Sequence, residues 1–448
     1  MKISKIFSIM AISVIAFCGQ SFATNTDITT VKPCVYIAKV TENTKQIKTN
    51  SIVNRISSYH KQIGLDSKET KKKFKKILKS PARFYQASPV LFYEDIFDNN
   101  YSISKDSPYA IICTDPHTGN FGIMPDENGK VVWGPNDFDL SGKGKVEWDL
   151  MRLGASIKLA SERDDIDQDA VKPAISALIR GYKTEAERIS KNGNNRSCTL
   201  TDKEVTNFIK KDMDKSEVIT EEELLKDKFE KQNGKISYKF NKKTLKLNPK
   251  QESKIKKIML DLGKKKNIGL EPVAFCEKLG SGGSTYGLKR YRVLSYIPKE
   301  KKYVEIEIKQ ILPSVLDKNL IKKAGNLKLA NAKTIVKSIK EVGGTPYDRF
   351  SESCMLDGIS FMIRERYMLE ADDTDDFKTS DDLKNFAYSA GIALARTHCR
   401  SKAKGLEITN WLNKETKIVD NLYDFSVKYA GITKKYYKEL NKVYKGEN

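Results

Sequence analysis

Every second residue of the segment "VEIEIK", which runs from residue 304 to residue 309, is aliphatic, and the residues between are charged. This period of two is typical of a β-strand with one buried face. Two other apolar segments, "PVAFCEKL" and "LKRYRVLSYI", precede it and flank the glycine-rich "GSGGSTYG". From residue 271 onward we therefore predict a strand, a glycine loop, a strand, a turn and a third, half-buried strand.

The first half of the chain predicts a hairpin followed by a helix. The hairpin strands are Phe121–Met124 and Val131–Trp133, and the Asn128-Gly129 pair between them favours a tight turn. Trp148–Ser161 shows the period of an amphipathic helix, and Asp149 near its start can cap free backbone amides. Helical patterns also occupy 61–80, 331–342, 382–400 and the C-terminal tail, and a strand pattern occupies 359–367.

The chain carries a net charge of +22, and lysine supplies most of the positive charge. Such a charge suits an anionic partner, but the sequence has no specific nucleic-acid-binding signature, and solvated lysine-rich helix faces also explain it. Lysine is frequent between residues 200 and 270, where the pattern is mostly helical, and "KNGNNRS" before this region is typical of a linker. We predict a helical insertion at 200–270.

The N-terminal 23 residues have the layout of a secretory signal peptide. Lys2 and Lys5 precede an apolar stretch that is short for a membrane span, and Ser21-Phe22-Ala23 fits a cleavage site. No later stretch is long enough to span a membrane, so we expect a periplasmic or secreted protein. The remaining chain is longer than one hydrophobic core usually serves.

Of the seven cysteines, six follow the predicted cleavage site. Their wide spacing leaves two possibilities open, disulfides of undetermined pairing or buried thiols. With no CxxC pair and three histidines in the chain, a zinc cluster is not expected. The six are Cys34, Cys113, Cys198, Cys276, Cys354 and Cys399.

Asp115, Asn120 and Asp137 have the residue types and the order of a phosphoryl-transfer loop. Such a loop needs a carboxylate that receives the proton of the acceptor, and oxygen ligands for Mg²⁺. In kinase-like enzymes an Asn lies five residues after the catalytic Asp, and a metal-binding Asp follows downstream. Asp137 occupies that place in "NDFD", with Asp139 as an alternative ligand. The other interpretation is that these residues form polar turns and are solvated.

The glycine-rich segment predicts a loop that covers phosphates. It lacks the Gly-Lys-Ser/Thr of a Walker loop, and a strand follows it where a dinucleotide-binding fold would have a helix. A glycine loop between antiparallel strands is instead typical of kinases, where the next strand carries a phosphate-binding lysine, and Lys309 is in that place. A flexible hairpin with a surface lysine is the alternative. The predicted cofactor-binding residues are Gly280, Ser281, Gly282, Gly283, Ser284 and Lys309.

Two histidines lie in segments of interest. His117 is inside the predicted catalytic loop and could orient the acceptor, or make a structural hydrogen bond. His398 is near the end of a predicted helix, where the helix dipole favours a histidine and where a role in the site is an equal alternative.

The segments "DPHTGNFG", "NDFD", "EWDLMRLGAS", "GSGGSTYGLKRYRVL", "IKQILPSVL" and "AGIALARTHCRS" resemble the bacterial family DUF2252, in the same order and over nearly the whole mature chain. The family is similar to aminoglycoside phosphotransferases and protein kinases in its catalytic segment. The resemblance implies nucleotide-dependent phosphotransfer to an unknown acceptor. It also implies that Asp149 supports the catalytic loop from behind.

Three positions depart from the pattern of the family. Gln86-Ala87 stands where the family tends to have Arg-Gly, and Arg364-Glu365 only partly matches an Arg-Gln pair. The helix after the lysine strand has Lys337 where the family tends to have a glutamate that could pair with the lysine, and Glu341 lies one turn further on. If no carboxylate reaches Lys309, the resemblance implies a degenerate enzyme.

We therefore expect an α+β protein with a two-lobed, protein-kinase-like fold, in which the order of the lobes is permuted. Ordinary kinases have the glycine loop and the lysine before the catalytic loop, and here they come after it. The predicted boundaries are a signal peptide at 1–23, a catalytic-loop region at 24–199, the insertion at 200–270, a glycine-loop and lysine-strand region at 271–370, and a C-terminal helical region at 371–448.

The function expected from the sequence is phosphotransfer that depends on Mg²⁺ and on ATP or another nucleotide. Asp115 would be the base, with His117 beside it, and Asn120, Asp137 and Asp139 would provide the metal ligands. Because ATP is scarce outside the cytoplasm, action in a host cell or another phosphate donor remains open. The alternatives are a catalytically inactive module that binds an anionic ligand or a protein, a nucleotidyl transferase on the same scaffold, and a structural protein of the cell envelope.

Overall fold

Helices and antiparallel strands alternate along the chain in a mixed α and β fold. The computed structural model describes residues 52–126, 128–280, 282–323, 325–342, 349–366, 369–371 and 374–444. The predicted signal peptide, Cys34 and Ser281 lie outside these residues. All of the described residues belong to one compact unit. None of their helices is long and apolar enough to cross a membrane.

The helices within the described residues are α1 (Ile52–Gln62), α2 (Ser67–Ile77), α3 (Pro81–Gln86), α4 (Pro89–Asn99), α5 (Val146–Arg163), α6 (Val171–Asn192), α7 (Asn207–Lys215), α8 (Glu221–Lys228), α9 (Pro249–Lys266), α10 (Lys318–Ile321), α11 (Ala332–Glu341), α12 (Ser380–His398), α13 (Lys402–Lys414) and α14 (Ile418–Tyr444). The strands are β1 (Tyr109–Ile112), β2 (Phe121–Pro125), β3 (Val131–Pro135), β4 (Gly142–Lys145), β5 (Glu217–Val218), β6 (Phe229–Gln232), β7 (Lys235–Tyr238), β8 (Thr244–Leu245), β9 (Glu271–Lys278), β10 (Arg290–Ile297), β11 (Lys302–Gln310), β12 (Glu352–Leu356), β13 (Ile359–Arg366) and β14 (Leu369–Glu370).

A six-stranded antiparallel sheet has the strand order β12-β13-β11-β10-β9-β8. Its aliphatic face, which includes Val304, Ile306 and Ile308, packs with the apolar side of α9 in one core. The prediction of strand, glycine loop, strand, turn and strand is confirmed. The expectation that the third strand is half-buried is wrong, because Glu305, Glu307 and Lys309 on its other face are buried as well.

A larger helical core contains α5, α6, α12 and α14. Helix α5 begins before the predicted Trp148 and is buried on all sides from Val146 to Ser161, so it is a central helix and the predicted amphipathic pattern is wrong. Helices α6 and α12 approach closely at Gly391, where a Cβ atom would lie 2.2 Å from the carbonyl oxygen of Leu178. Helices α5 and α12 of this core support the loop after β1, as described below.

The segment between 200 and 270 differs from the prediction, because it is not mostly helical. Helices α7, α8 and α9 alternate there with the short strands β5 to β8. Strands β6 and β7 form a hairpin that packs on β9 of the large sheet, and β8 adds to the edge of that sheet. By contrast, the predicted hairpin of β2 and β3 is confirmed, with Phe121 opposite Pro135 and the indole of Trp133 fully buried.

Candidate functional site

A cleft of about 1140 Å³ lies between the large sheet and the helical core. Its walls carry most of the residues that the sequence singled out: Asp115, His117, Asn120, Asp137, Gly282, Gly283, Ser284 and Lys309. Gly280 lies in the same loop but does not line the cleft, and Asp139 lies behind Lys309. Segments that are about 160 residues apart in the chain thus face one cavity.

The backbone before Asp115 is held by the carboxylate of Asp149. One oxygen of Asp149 accepts a hydrogen bond from the Cys113 amide at 2.7 Å, and the other accepts one from the Thr114 amide at 2.9 Å. The sequence suggested that Asp149 caps its own helix. In the structure its carboxylate instead supports the loop after β1. Thr114 has a φ of 73°, a conformation that L-residues rarely adopt, so these two bonds stabilise a strained turn.

His398 belongs to this support and does not line the cleft. Its Nε2 lies 3.1 Å from Asp149, and its Nδ1 lies 2.9 Å from the hydroxyl of Tyr182. The ring is buried, with an exposed fraction of 1%. His398 therefore orients Asp149, and through it the start of the loop after β1.

The carboxylate of Asp115 is paired with the guanidinium of Arg152, whose Nε donates to it at 2.9 Å. Arg152 is fully buried, stacks on the ring of Tyr85 at 3.8 Å and donates to the Tyr85 carbonyl. Burial raises the pKa of Asp115 to about 6, although Arg152 opposes the shift. A carboxylate with such a pKa can accept a proton at neutral pH and is well placed to act as a general base.

Asn120 and Asp137 present oxygen atoms beside Asp115. The Nδ2 atom of Asn120 donates to the Asp115 carbonyl at 2.9 Å, which leaves its Oδ1 as the ligand atom. Burial alone would raise the pKa of Asp137, but Lys309 and Arg364 outweigh burial and lower it. The carboxylate is therefore ionised at neutral pH.

Within the described part of the chain, no three His, Cys, Asp or Glu side chains are arranged to hold a metal ion. The two oxygen donors Asn120 and Asp137 still fit Mg²⁺. This ion is commonly bound by one or two carboxylates together with water and the phosphates of a substrate.

Lys309 extends from β11 toward these aspartates. Its Nζ lies 3.9 Å from Asp137 and forms an ion pair with Asp139, and Arg364 approaches Asp139 to 3.8 Å from the other side. Burial lowers the pKa of Lys309 to about 8, and Asp137 partly opposes that shift. Glu341, by contrast, is exposed. The carboxylate that reaches Lys309 thus comes from the "NDFD" segment and not from α11.

The glycine loop is held from outside by helix α2. Lys76 donates to the carbonyls of Gly280 and Gly282 at 3.0 and 2.8 Å, and the buried Lys73 donates to that of Ser284 at 3.0 Å. Gly283 lies against α3, where an added Cβ would come within 3.0 Å of the methyl group of Ala87. Three loop carbonyls are therefore occupied by lysines of α2.

His117 lines the cleft next to Asp115 and is buried. Among the described residues its Nδ1 atom has no hydrogen-bond partner. Burial, assisted by Arg152, lowers the pKa of His117 to about 3, so the ring is neutral at pH 7. A neutral ring with an unpaired nitrogen can orient an acceptor hydroxyl beside the base.

A cluster of arginines around Glu307 was not predicted. Glu307 is fully buried, accepts from Arg364 at 3.0 Å and from Arg290 at 3.2 Å, and lies 3.7 Å from Arg292. Burial alone would raise the pKa of Glu307, but Arg364 and Arg290 outweigh it and hold the pKa at about 2. The sequence contains pairs of charged residues two positions apart on β10, β11 and β13. These pairs predict the cluster only once the register of the three strands is known.

The described cysteines are free thiols, and four of the five are buried. Cys113 lies directly after β1, at the start of the loop that contains Asp115, and burial raises the pKa of its thiol. Of the two possibilities that the sequence left open, the structure has thiols at these positions.

No curated protein and no solved structure matches this chain. A family model does match, over residues 65–443, and its description is "Uncharacterized protein conserved in bacteria (DUF2252)". That range includes Asp115, Asn120, Asp137, the glycine loop and Lys309. Because the match covers well over half of the sequence, the chain belongs to the DUF2252 family.

Proposed function

We propose that this protein is a Mg²⁺-dependent phosphotransferase that acts by a kinase-type mechanism. The observation that carries the proposal is the cleft itself. Asp115, Asn120 and Asp137 line it from the helical side, and the glycine loop and Lys309 line it from the sheet. Phosphoryl transfer needs mainly positioning and charge stabilisation, and these residue types on two facing walls supply both.

We also infer a permuted, kinase-like fold. Its support is the succession of β9, glycine loop, β10 and the lysine strand β11, followed by the short helix α10 and then helix α11, which resembles the nucleotide-binding part of kinases. A second support is the position of α12. This helix follows the sheet in the chain but packs beside β1, and its His398 contacts Asp149. The end of the sheet region thus leads back to the catalytic loop.

The residues have distinct tasks in this mechanism. Asp115 accepts the proton of the acceptor hydroxyl, and His117 orients that hydroxyl. Asn120 and Asp137 would hold Mg²⁺, which neutralises charge on the donor phosphates when bound. Lys309 binds a donor phosphate, and Asp139 positions its ammonium group. The phosphate donor expected from the sequence is ATP or another nucleotide.

The test is a thermal shift titration of the purified mature protein with ATP in the presence and absence of Mg²⁺. We expect stabilisation that requires Mg²⁺ and is lost in Asp137→Ala. Asp106→Ala, an exposed aspartate outside the cleft, is the matched control and should behave as wild type. Binding of ATP that is independent of both Mg²⁺ and Asp137 would refute the proposed metal site. Metal-dependent binding with no turnover would instead favour the catalytically inactive binding module.

A further inference from the structure

We infer that the donor subsite of this cleft recognises a phosphate chain and not a nucleobase, so that inorganic polyphosphate is the class of donor that it fits. The inference rests on the proposed function and names the donor of the same site. It follows from the wall that the large sheet presents to the cleft.

That wall is ionic. Arg290 on β10, Lys309 on β11 and Arg364 on β13 all line the cleft, and Arg290 and Lys309 are directly opposite each other in the ladder. The side chains of Arg290, Lys309 and Arg364 are only 9%, 4% and 12% exposed. Glu307, which lies between the two arginines, orients both. Three largely buried cations thus line the same cleft, and such a wall suits an anion.

A nucleobase finds no apolar surface on this wall. Bases are bound by stacking on aromatic or aliphatic side chains, and pockets for them are mostly apolar. Most aliphatic side chains of β10, β11 and β13 point to the opposite face and pack with α9, namely Val293, Val304, Ile306, Ile308 and Ile363. Met362 of β13, opposite Lys309 in the ladder, is buried in the helical core. Where the cleft side of the sheet does carry apolar residues, such as Cys276 and Leu294, the hairpin of β6 and β7 covers them with Phe229 and Tyr238.

The remaining walls of the cleft provide little apolar surface for a nucleobase. Among the described residues that line the cleft, the apolar side chains are Ile77, Ala87 and Phe208. Phe208 is the one aromatic among them, and it lies on α7 and not on the sheet. A base could stack there, and the experiment below tests that arrangement directly.

The charge of the cleft suits a compact polyanion. Among the residues that the structure describes, nine lysine or arginine side chains line it, against six aspartates. Arg83 adds an exposed guanidinium, for which the described residues provide no ion-pair partner. A chain of phosphates would neutralise this excess along its whole length.

The transfer balances without any further reactant. The acceptor hydroxyl oxygen attacks the terminal phosphorus and forms a new P–O bond, and its proton passes to Asp115. The anhydride P–O bond breaks, and its electron pair stays on the bridging oxygen. The products are a phosphorylated acceptor and a polyphosphate shorter by one phosphate. Arg290, Lys309 and Arg364 hold the negative charge of the remaining chain.

The test compares tripolyphosphate, ATP and adenosine by isothermal titration in excess Mg²⁺. We expect tripolyphosphate to bind at least as tightly as ATP, and adenosine to give no signal. Arg290→Met and Arg364→Met should each weaken tripolyphosphate by about tenfold or more, since each removes a charge-assisted contact. Arg364→Lys, which keeps the charge, should recover part of the loss. Arg180→Met, an exposed arginine outside the cleft, is the control and should bind as wild type.

ATP that binds more than tenfold tighter than tripolyphosphate, with the advantage lost in Phe208→Ala, would overturn the inference and leave the phosphotransferase intact. Failure of both ligands to bind with Mg²⁺ would overturn the inference and the proposed function together. Thermal unfolding of each variant without ligand verifies that it folds. If Arg364→Met is unstable, the affinity of Arg364→Lys for tripolyphosphate tests the contribution of Arg364 in its place.

Discussion

Glu307 contacts Arg290, Arg292 and Arg364 together, so its replacement by glutamine has a calculable effect. The side chain is fully buried, and its pKa is lowered from 4.5 to about 2. A shift of about 2.5 pKa units corresponds to about 3 kcal/mol of stability at neutral pH. Removal of one partner of a buried ion pair costs about 3–5 kcal/mol, which agrees in size. We expect Glu307→Gln to lower the free energy of unfolding by about 3 kcal/mol.

The pH dependence separates this effect from a simple packing defect. Because the pKa of Glu307 is depressed in the folded protein, its contribution is complete above the unfolded pKa and is lost as the pH falls from about 4.5 toward 2. The difference between wild type and Glu307→Gln should therefore be about 3 kcal/mol at pH 7 and about half of that near pH 3.

Urea denaturation followed by tryptophan fluorescence measures both values. Glu271→Gln at the exposed start of β9 is the matched control, and it should stay within about 0.5 kcal/mol of wild type at every pH. A difference between wild type and Glu307→Gln that is independent of pH would refute the electrostatic reasoning. So would a Glu307→Gln variant as stable as the control.

Three further predictions follow from the site. The turnover rate should fall as the pH drops below about 6, because the base Asp115 must be deprotonated and its pKa is about 6; a rate that is constant between pH 5 and 7.5 would contradict its role. Lys76→Met should speed hydrogen exchange by about tenfold at the Tyr286 amide of the glycine loop and at the Leu288 amide directly after it. The exposed Lys75→Met should leave both exchange rates unchanged, and equal rates in the two variants would show that Lys76 does not hold the loop. Asp139→Asn should weaken donor binding by about tenfold in isothermal titration, because Lys309 loses its charged partner, and an unchanged affinity would exclude Asp139 as the group that positions Lys309.

Local patterns in the sequence were enough to find the parts of this site. The spacing of Asp115 and Asn120, the glycine loop between two strands and the position of Lys309 are all local features. Each is set by a few neighbouring residues, and the structure brings them to one cleft. The two side chains that support the loop after β1, Asp149 and His398, were harder to assign, because their contacts depend on tertiary packing. Asp149 accepts amides from 35 and 36 residues earlier in the chain.

The same limit explains the predictions that failed. The charged face of β11 is buried because arginines from β10 and β13 cover it, and that depends on strand register. Strands β6 and β7 were missed because "FEKQ" and "KISY" are short, rich in charged and polar residues, and stabilised by packing on β9. The ion pair between Asp139 and Lys309 was not predicted either, because the distance between the two side chains cannot be read from the sequence.

The central claim is that this cleft transfers a phosphoryl group with Mg²⁺ and Asp115. The most direct measurement is ³¹P NMR of donor and Mg²⁺, with ATP and tripolyphosphate tested separately, in the presence of wild type or of Asp115→Asn. Water is the acceptor in this assay, so the terminal phosphate is released as inorganic phosphate and the donor becomes shorter by one phosphate. We predict that wild type hydrolyses the donor in this way, and that Asp115→Asn binds the donor equally well but reacts about 10²–10⁴-fold more slowly. Equal rates in the two proteins, or no donor consumed by wild type although it binds the donor with Mg²⁺, would contradict the account.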